Sequence, residues 1–245
     1  MSTFTLLEQE ISESLRELRL DPDHQLSASR RLSIYQALCP AFPALDLTRN
    51  YYNAFVATSC PSISIEHRRY GYLGILTAQH VLPIWDRSVK PADRWMPRKM
   101  LAFAEDVLKG IKKPSEVNGF YLEDFHHFLD MQFEVKYDAW CALRASYDAL
   151  GMCLGAPPFT RCYDLDKNKF VLSDNDAAQF AVVAYSIVDD SEPGDWRTHF
   201  RKTRNKEWIF DFEKRLEFWE WWLTEAVPAA WRMAEEQEDR IDPAL

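Results

Sequence analysis

The sequence has 245 residues and a formal net charge of −9, because 38 acidic side chains outnumber 29 basic ones. A chain of this length can bury a substantial hydrophobic core. Its acidic balance disfavours a general nucleic-acid binder, since affinity for phosphate comes mainly from clustered Lys and Arg. Glycine occurs only 7 times, which disfavours Gly-rich phosphate loops and turn-dense all-β folds.

The sequence also indicates a compartment. Residues 1–10 lack the basic and apolar regions of a secretory signal. Residues 70–85 contain no Lys, Arg, Asp or Glu, but this stretch is too short and too polar to span a bilayer. The five cysteines form no C-x-x-C pair, which favours buried free thiols over a disulfide framework or a zinc ribbon. We therefore expect a cytoplasmic protein that does not bind membranes.

Five helices are predicted in the first 110 residues, and proline or glycine marks most of their ends. Asp21-Pro22-Asp23 stops the first helix, a proline follows the second and the third, and Pro83 should bend or end the fourth. The fifth has Pro97 in its first turn and Gly110 just past its end. The predicted bounds are about Thr3 or Thr5 to Leu20, Gln25 to Leu38, Leu47 to Thr58, Ile65 to Trp85, and Pro97 to Leu108.

A single long helix is predicted from Ser115 to about Leu150, because apolar residues recur there at helical spacing. One face forms a core stripe of Leu122, Phe125, Leu129, Phe133, Trp140, Leu143 and Tyr147. The opposite, polar face collects Glu123, His127, Asp130, Glu134, Asp138 and Asp148.

The rest of the chain predicts one β-prone insertion and two further helices. Residues 163–172 contain two short β-prone runs about a Lys-Asn-Lys turn. Ser173 and Asp176 resemble a capping box, which would open an almost entirely apolar, buried helix over 177–188. A last large helix is predicted over 205–227, with a core stripe of Trp208, Phe212, Leu216, Trp219 and Leu223.

Together these elements predict an all-α fold. We expect a single-domain bundle of about seven to nine helices over residues 1–234, with one small β-hairpin or extended insertion near 160–172. Residues 235–245 contain Glu235, Glu236, Glu238, Asp239 and Asp242 and are expected to form an acidic, frayed tail.

Sequence signatures of catalysis are sparse. Glu123-x-x-His126 matches half of the carboxylate–histidine pattern of di-iron bundles, and His127 and Asp130 lie nearby. A second such pair is missing, so we favour no bound metal and no cofactor, with a metal-dependent helical enzyme as the alternative. Nucleophile-elbow, zinc-protease and P-loop motifs are also absent from the sequence, which favours a non-enzymatic protein.

Two surfaces are candidates for partner binding. Glu123, Asp130, Glu134 and Asp138 would repel one another along one helix face, which favours either a basic partner or simple solvation. Phe210 and Trp221 point away from the core stripe of the last helix, so they either pack beneath another element or form an exposed patch. Such a patch could bind a partner or join two copies in a homodimer. A basic, aromatic segment over 196–208 is expected to pair internally rather than bind nucleic acid.

The segment 68–110 carries a more specific pattern. An apolar helix is followed by Pro91-Ala92-Asp93-Arg94-Trp95-Met96-Pro97-Arg98 and then by a helix that closes at Gly110. This resembles the immunity proteins numbered five of bacterial polymorphic toxin systems, an all-α family. The resemblance implies a bacterial protein that binds a cognate toxin and blocks it sterically. A metal-dependent enzyme and a self-assembling scaffold remain the alternatives.

Overall fold

The computed structural model describes residues 3–40, 63–117, 130–131, 134–156, 161–164, 169–172, 176–188 and 209–238. Within these residues there are eight α-helices and two short antiparallel ladders, which confirms the predicted all-α class. The helices are α1 (Thr3–Leu20), α2 (Ala28–Leu38), α3 (Ile65–Ser88), α4 (Trp95–Leu108), α5 (Tyr137–Cys153), α6 (Ala177–Ser186), α7 (Phe212–Trp221) and α8 (Val227–Glu238).

The two ladders differ in how well the sequence indicates them. Strands β1 (Arg161–Asp164) and β2 (Lys169–Leu172) form the hairpin predicted near 160–172. Strands β3 (Ile187–Val188) and β4 (Ile209–Phe210) form a second, unpredicted pair. Because this pair lies between α6 and α7, it brings the end of one helix to the start of the other.

Helix α3 lies at the centre of the bundle and packs against α4, α5, α6 and α8. It continues through Pro83, where the sequence indicates a bend or an end. Two glycines permit the close approach of α5. A Cβ at Gly74 would lie 2.9 Å from the sulfur of Met152 and 3.2 Å from the Cα of Ala149. A Cβ at Gly71 would lie 3.0 Å from the sulfur of Cys153 on α5 and 2.8 Å from the side chain of Leu108 on α4.

The predicted continuous helix over 115–150 is wrong. The chain is helical at 130–131, turns at Glu134 and Val135, and is extended at Lys136, where ψ is 156°. Helix α5 begins only at Tyr137. Met131 and Val135, on either side of the described turn at Glu134, are both buried in the core.

The predicted position of Asp148 on the polar face of this helix is also wrong, because the side chain is buried. It is 9% exposed and pairs with Arg144, whose Nε donates to both carboxylate oxygens at 3.1 Å. Burial raises the pKa of Asp148, although Arg144 opposes this. Helix α5 buries residues around most of its circumference, so a two-faced pattern does not describe it.

A buried ion pair joins α2 to α6. The Nε of Arg31 donates to Oδ2 of Asp176 at 3.2 Å, and the hydroxyl of Tyr35 donates to the same oxygen at 3.0 Å. The other oxygen, Oδ1, accepts the backbone N–H of Gln179 at 2.9 Å and so caps α6. Asp176 is therefore the N-cap itself, whereas the sequence predicted a capping box begun by Ser173, which lies outside the described residues.

Helices α7 and α8 form one continuous helical run, joined by a π-helical turn at Trp222–Ala226. The run begins at Phe212, later than the predicted 205, and continues past Val227 through Pro228. The prediction that Phe212 belongs to the core stripe is wrong, because its side chain is 43% exposed. Leu216 is partly buried and Trp219 and Leu223 are fully buried, whereas Trp208 lies outside the described residues.

The end of α8 is attached to α3. The guanidinium of Arg69 lies 3.3 Å from the ring centroid of Trp231 and forms an ion pair with Glu235 at 3.4 Å. Arg68 pairs with Glu238, and its Nε donates to the carbonyl of Leu108 at 3.3 Å. The first four residues of the segment expected to fray are therefore helical, and Glu235 and Glu238 are paired, while 239–245 lie outside the described residues.

Other sequence predictions concern cysteines and membranes. Cys39, Cys141 and Cys153 are buried free thiols, whereas the side chains of Cys60 and Cys162 lie outside what the structure describes. In the part of the chain that the structure describes, no helix has the length and apolar character needed to cross a membrane.

The Arg31–Asp176 pair gives a first testable prediction. Arg31→Ala would leave the carboxylate of Asp176 buried without its cation, which costs about 3–5 kcal/mol in comparable cases. Urea unfolding should therefore show a large loss of stability. Arg30→Ala is the matched control, because Arg30 lies next to it on α2 but pairs with the partly exposed Glu17 at the surface. Equal losses in the two variants would contradict the assigned role of the buried pair.

Candidate partner-binding surface

Three aromatic rings from three different helices form a stack at the protein surface. The imidazole of His80 on α3 lies 3.6 Å from the ring centroid of Trp221 on α7, with 16° between the planes. The imidazole of His80 also lies 5.3 Å from the ring centroid of Tyr185 on α6, with 33° between the planes. All three side chains are partly buried. We call His80, Tyr185, Trp221 and the two adjacent carboxylates, Glu217 and Glu225, the ring-stack surface.

The rings are held from below by the core. The ring of Phe218 is fully buried and contacts both His80 and Trp221, at 5.8 and 5.7 Å between centroids. Immediately after Trp221, the indole N–H of Trp222 donates to the hydroxyl of Thr77 at 2.9 Å. Thr77 lies one turn before His80 on α3, so this hydrogen bond fixes α7 against α3 beside the stack.

The π-helical turn begins directly after Trp221. Such turns insert one extra residue into a helix and are frequent at functional sites. Here the turn contains the fully buried Trp222 and Leu223, and it is followed by the buried Val227. The change of period therefore keeps these large side chains in the core while Trp221 stays at the surface.

Two carboxylates lie beside the rings. Glu217 accepts a hydrogen bond from the hydroxyl of Tyr185 at 3.0 Å, and Glu217 and Glu225 are both exposed. Their charges raise the pKa of His80, but burial of the ring has the larger, opposite effect and lowers it overall. His80 is therefore neutral at pH 7, and the charge of the ring-stack surface is negative.

The predicted acidic residues lie on a different part of the chain. Asp130 and Glu134 are exposed, and Asp138 is partly buried in the first turn of α5, where its Oδ1 accepts the N–H of Ala139 at 2.7 Å. Glu123 lies outside the described residues. Since the predicted long helix is interrupted, these carboxylates do not form one continuous helix face.

The sequence places Phe210 and Trp221 on the last helix, away from its core stripe, and for Phe210 this placement on a helix is wrong. Phe210 lies in β4, before α7 begins, and the guanidinium of Arg215 lies 4.0 Å from the centroid of its ring. Among the described residues, no ring contact joins Phe210 to the His80–Trp221 stack. Of the two aromatic candidates, Trp221 alone belongs to the ring-stack surface.

The metal alternative falls largely on residues outside the described part of the chain, namely Glu123, His126 and His127. Asp130, the fourth candidate, is described and exposed. Among the described residues, no group of three or more His, Cys, Asp or Glu side chains could hold a metal ion.

Comparison with known protein families assigns the chain to a family. The family model described as immunity protein Imm5 matches residues 11–229. The chain belongs to the Imm5 family. This match confirms the resemblance indicated by the Pro91–Arg98 segment, and it extends over most of the chain, including all of the ring-stack surface. No curated protein matches the chain. Membership of Imm5 makes this an immunity-type protein, a class that acts on toxins.

Sequence reasoning found Trp221 but missed the other members of the ring-stack surface. Glu217 and Glu225 lie four residues before and after Trp221, a spacing that could have associated the carboxylates with it. His80 and Tyr185 carry no such signal, because they come from separate helices. Their positions follow from the packing of α3, α6 and α7 around Phe218.

The electrostatics of His80 give a second prediction. Its pKa should lie below the ordinary value of about 6.5, as measured by NMR titration of the ring C–H signal. Trp221→Ala should raise this pKa by exposing the imidazole to water, whereas Glu217→Gln should lower it by removing a nearby negative charge. A wild-type pKa at or above 6.5 would contradict the burial of His80 in the stack.

The same shift affects stability. Between the folded and unfolded pKa values of His80, the unfolded chain binds more protons, so protonation favours unfolding. The stabilisation by neutral His80 is therefore present above pH 6.5 and is lost as the pH falls from there towards the folded pKa. The decline in stability over this range should be smaller in His80→Gln than in the wild type.

Proposed function

We propose that this Imm5 protein protects its producer by binding one cognate toxin and blocking it sterically, without catalysing a reaction. The observation that carries this proposal is the family match over residues 11–229. Steric neutralisation needs complementary shape and charge but no catalytic group. The absence of the common hydrolase and metalloprotease motifs from the sequence agrees with this mechanism.

The acidic character of this chain supports a toxin whose contact surface is basic. The chain carries a net charge of −9, and exposed carboxylates occur at Asp130 and Glu134 and at the ring-stack surface. Opposite charges on two proteins accelerate their encounter and align them before contact. If the toxin is a nuclease, these carboxylates would occupy a cleft that otherwise binds phosphate.

The proposed interface combines these charges with aromatic anchors. Trp221 offers a large ring held rigidly in place, which is the type of side chain that dominates binding energy at interfaces. Phe210 is the second aromatic candidate, and Glu123, Asp130, Glu134 and Asp138 are the acidic candidates. In this arrangement the carboxylates steer association, and the aromatic side chains determine how slowly the complex dissociates.

The test of this function begins with tagged protein purified from lysate of its native host. Mass spectrometry identifies any protein that copurifies at stoichiometric level, and that protein is then expressed alone in a neutral host. We expect it to stop growth and this chain to restore growth when coexpressed. A captured protein that is harmless on its own would contradict the proposed function, and a stoichiometric transition metal in the purified chain would favour the metal-dependent alternative.

The acidic candidates give a third prediction. Reversing Glu134 and Asp138 together to Lys should weaken protection against the captured toxin, because both charges would then repel a basic partner. Thermal unfolding separates this effect from loss of the first turn of α5, where Asp138 lies. Glu134→Gln with Asp138→Asn is the milder pair and should lose less. Full protection by the folded double Lys variant would exclude these residues from the interface.

A further inference from the structure

The ring-stack surface contains two exposed carboxylates, Glu217 and Glu225. Among the described residues, neither Glu217 nor Glu225 forms an ion pair. Several other acidic residues of the helices form ion pairs within the protein: Glu220 pairs with Arg19, Glu17 with Arg30, Glu105 with Lys109, Glu235 with Arg69 and Glu238 with Arg68. The surface therefore combines exposed negative charge with partly buried aromatic rings.

We propose that the ring-stack surface is the docking site for an arginine side chain on a basic segment of the toxin. This inference rests on the proposed function and assigns it a recognition chemistry. The guanidinium would lie against the ring of Trp221, while its N–H groups donate to the carboxylates of Glu217 and Glu225. Arginine suits such a site because its planar group stacks on aromatic rings and forms paired hydrogen bonds with carboxylates.

The rings at this site are already fixed before a partner arrives. His80 is stacked on Trp221 and also contacts the tilted ring of Tyr185, and the buried Phe218 contacts His80 from the core. The hydroxyl of Tyr185 holds the carboxylate of Glu217. A partner would therefore bind without ordering these side chains first, which lowers the entropic cost of association.

The protein uses the same chemistry at one contact between its own helices. Arg69 lies over the ring of Trp231 and pairs with Glu235, which is four residues further along α8. Trp221 and Glu225 are also four residues apart, but here Glu225 lies in the π-helical turn. The difference is that the first pair receives its arginine from α3, whereas the second receives none from the described residues.

Charge also selects among possible partners. Nucleic acids and anionic lipid surfaces would bring further negative charge to Glu217 and Glu225 and would be repelled. A second copy of the chain carries a net charge of −9, so self-association is opposed as well. A basic protein segment is the partner that satisfies both the carboxylates and the rings.

A peptide titration tests this chemistry without the toxin. The chain is labelled with ¹⁵N-tryptophan, and the indole signal of Trp221 is assigned from its loss in Trp221→Phe. Tetra-arginine peptide should shift this signal, while tetra-citrulline, which has the same shape without charge, should not. Glu217→Gln combined with Glu225→Gln should weaken the binding of the tetra-arginine peptide by about threefold or more. Glu236→Gln, an exposed control on α8, should leave its affinity unchanged.

A second experiment uses the toxin captured as described above. Trp221→Ala should weaken its affinity by about 30-fold, as expected for a central tryptophan anchor. Trp95→Ala is the matched control, because Trp95 is 43% exposed but already lies 5.2 Å from the ammonium of Lys99. The charge variant Glu217→Gln/Glu225→Gln should also weaken binding, and it leaves the core packing of Trp221 intact.

The outcomes distinguish this inference from the proposed function. If the wild type neutralises the toxin but Trp221→Ala and Glu217→Gln/Glu225→Gln both bind it like the wild type, the docking site is wrong and the function stands. Two results of the peptide titration would mean that the attraction is general to the acidic surface and that the docking site is again wrong. One is a shift of the indole signal of Trp95 as large as that of Trp221, and the other is a loss of peptide affinity in Glu236→Gln as large as in the double variant. A wild-type dimer that Trp221→Glu converts to a monomer would assign the surface to self-association.

Discussion

One buried carboxylate, that of Asp176, determines how the helices beside the ring-stack surface pack together. Asp176 caps α6 with one oxygen and, with the other, accepts hydrogen bonds from Arg31 and Tyr35 of α2. The guanidinium of Arg31 also lies 5.6 Å from the ring centroid of Trp219 on α7. An unpaired charge in this place would be very costly, so the three helices can pack closely only in the arrangement that pairs it. Since α6 and α7 carry Tyr185 and Trp221, the ring-stack surface depends on this arrangement.

Helix α3 supplies the remaining constraint. Gly71 and Gly74 let α5 approach closely on one side, and the end of α8 is attached through Arg68 and Arg69. His80 is then presented to α6 and α7 on the same helix that is most deeply packed. The proposed interface is consequently built on rigid elements, which suits a protein whose proposed task is to hold a partner rather than to change shape.

Much of the fold could be predicted from local signals, because proline, glycine and capping residues act over a few positions. Ser64 caps α3, and Gly110 follows α4 with φ of 71°. The errors arose where distant contacts determine the structure. Helical spacing continues in the sequence across Lys136, but the backbone there is extended, and the buried Asp148 pairs with Arg144. For the candidate site, spacing along one helix identified Trp221, whereas its partners from α3 and α6 carry no local signature.

The most direct test of the account is hydroxyl-radical footprinting of the chain alone and in complex with its toxin, because aromatic side chains report their own solvent access. The account predicts that oxidation of Trp221 and Tyr185 falls on complex formation, while oxidation of the exposed Trp95 does not change. Unchanged oxidation of Trp221 and Tyr185 in a stable, neutralising complex would contradict it and would place the interface on another face of the bundle.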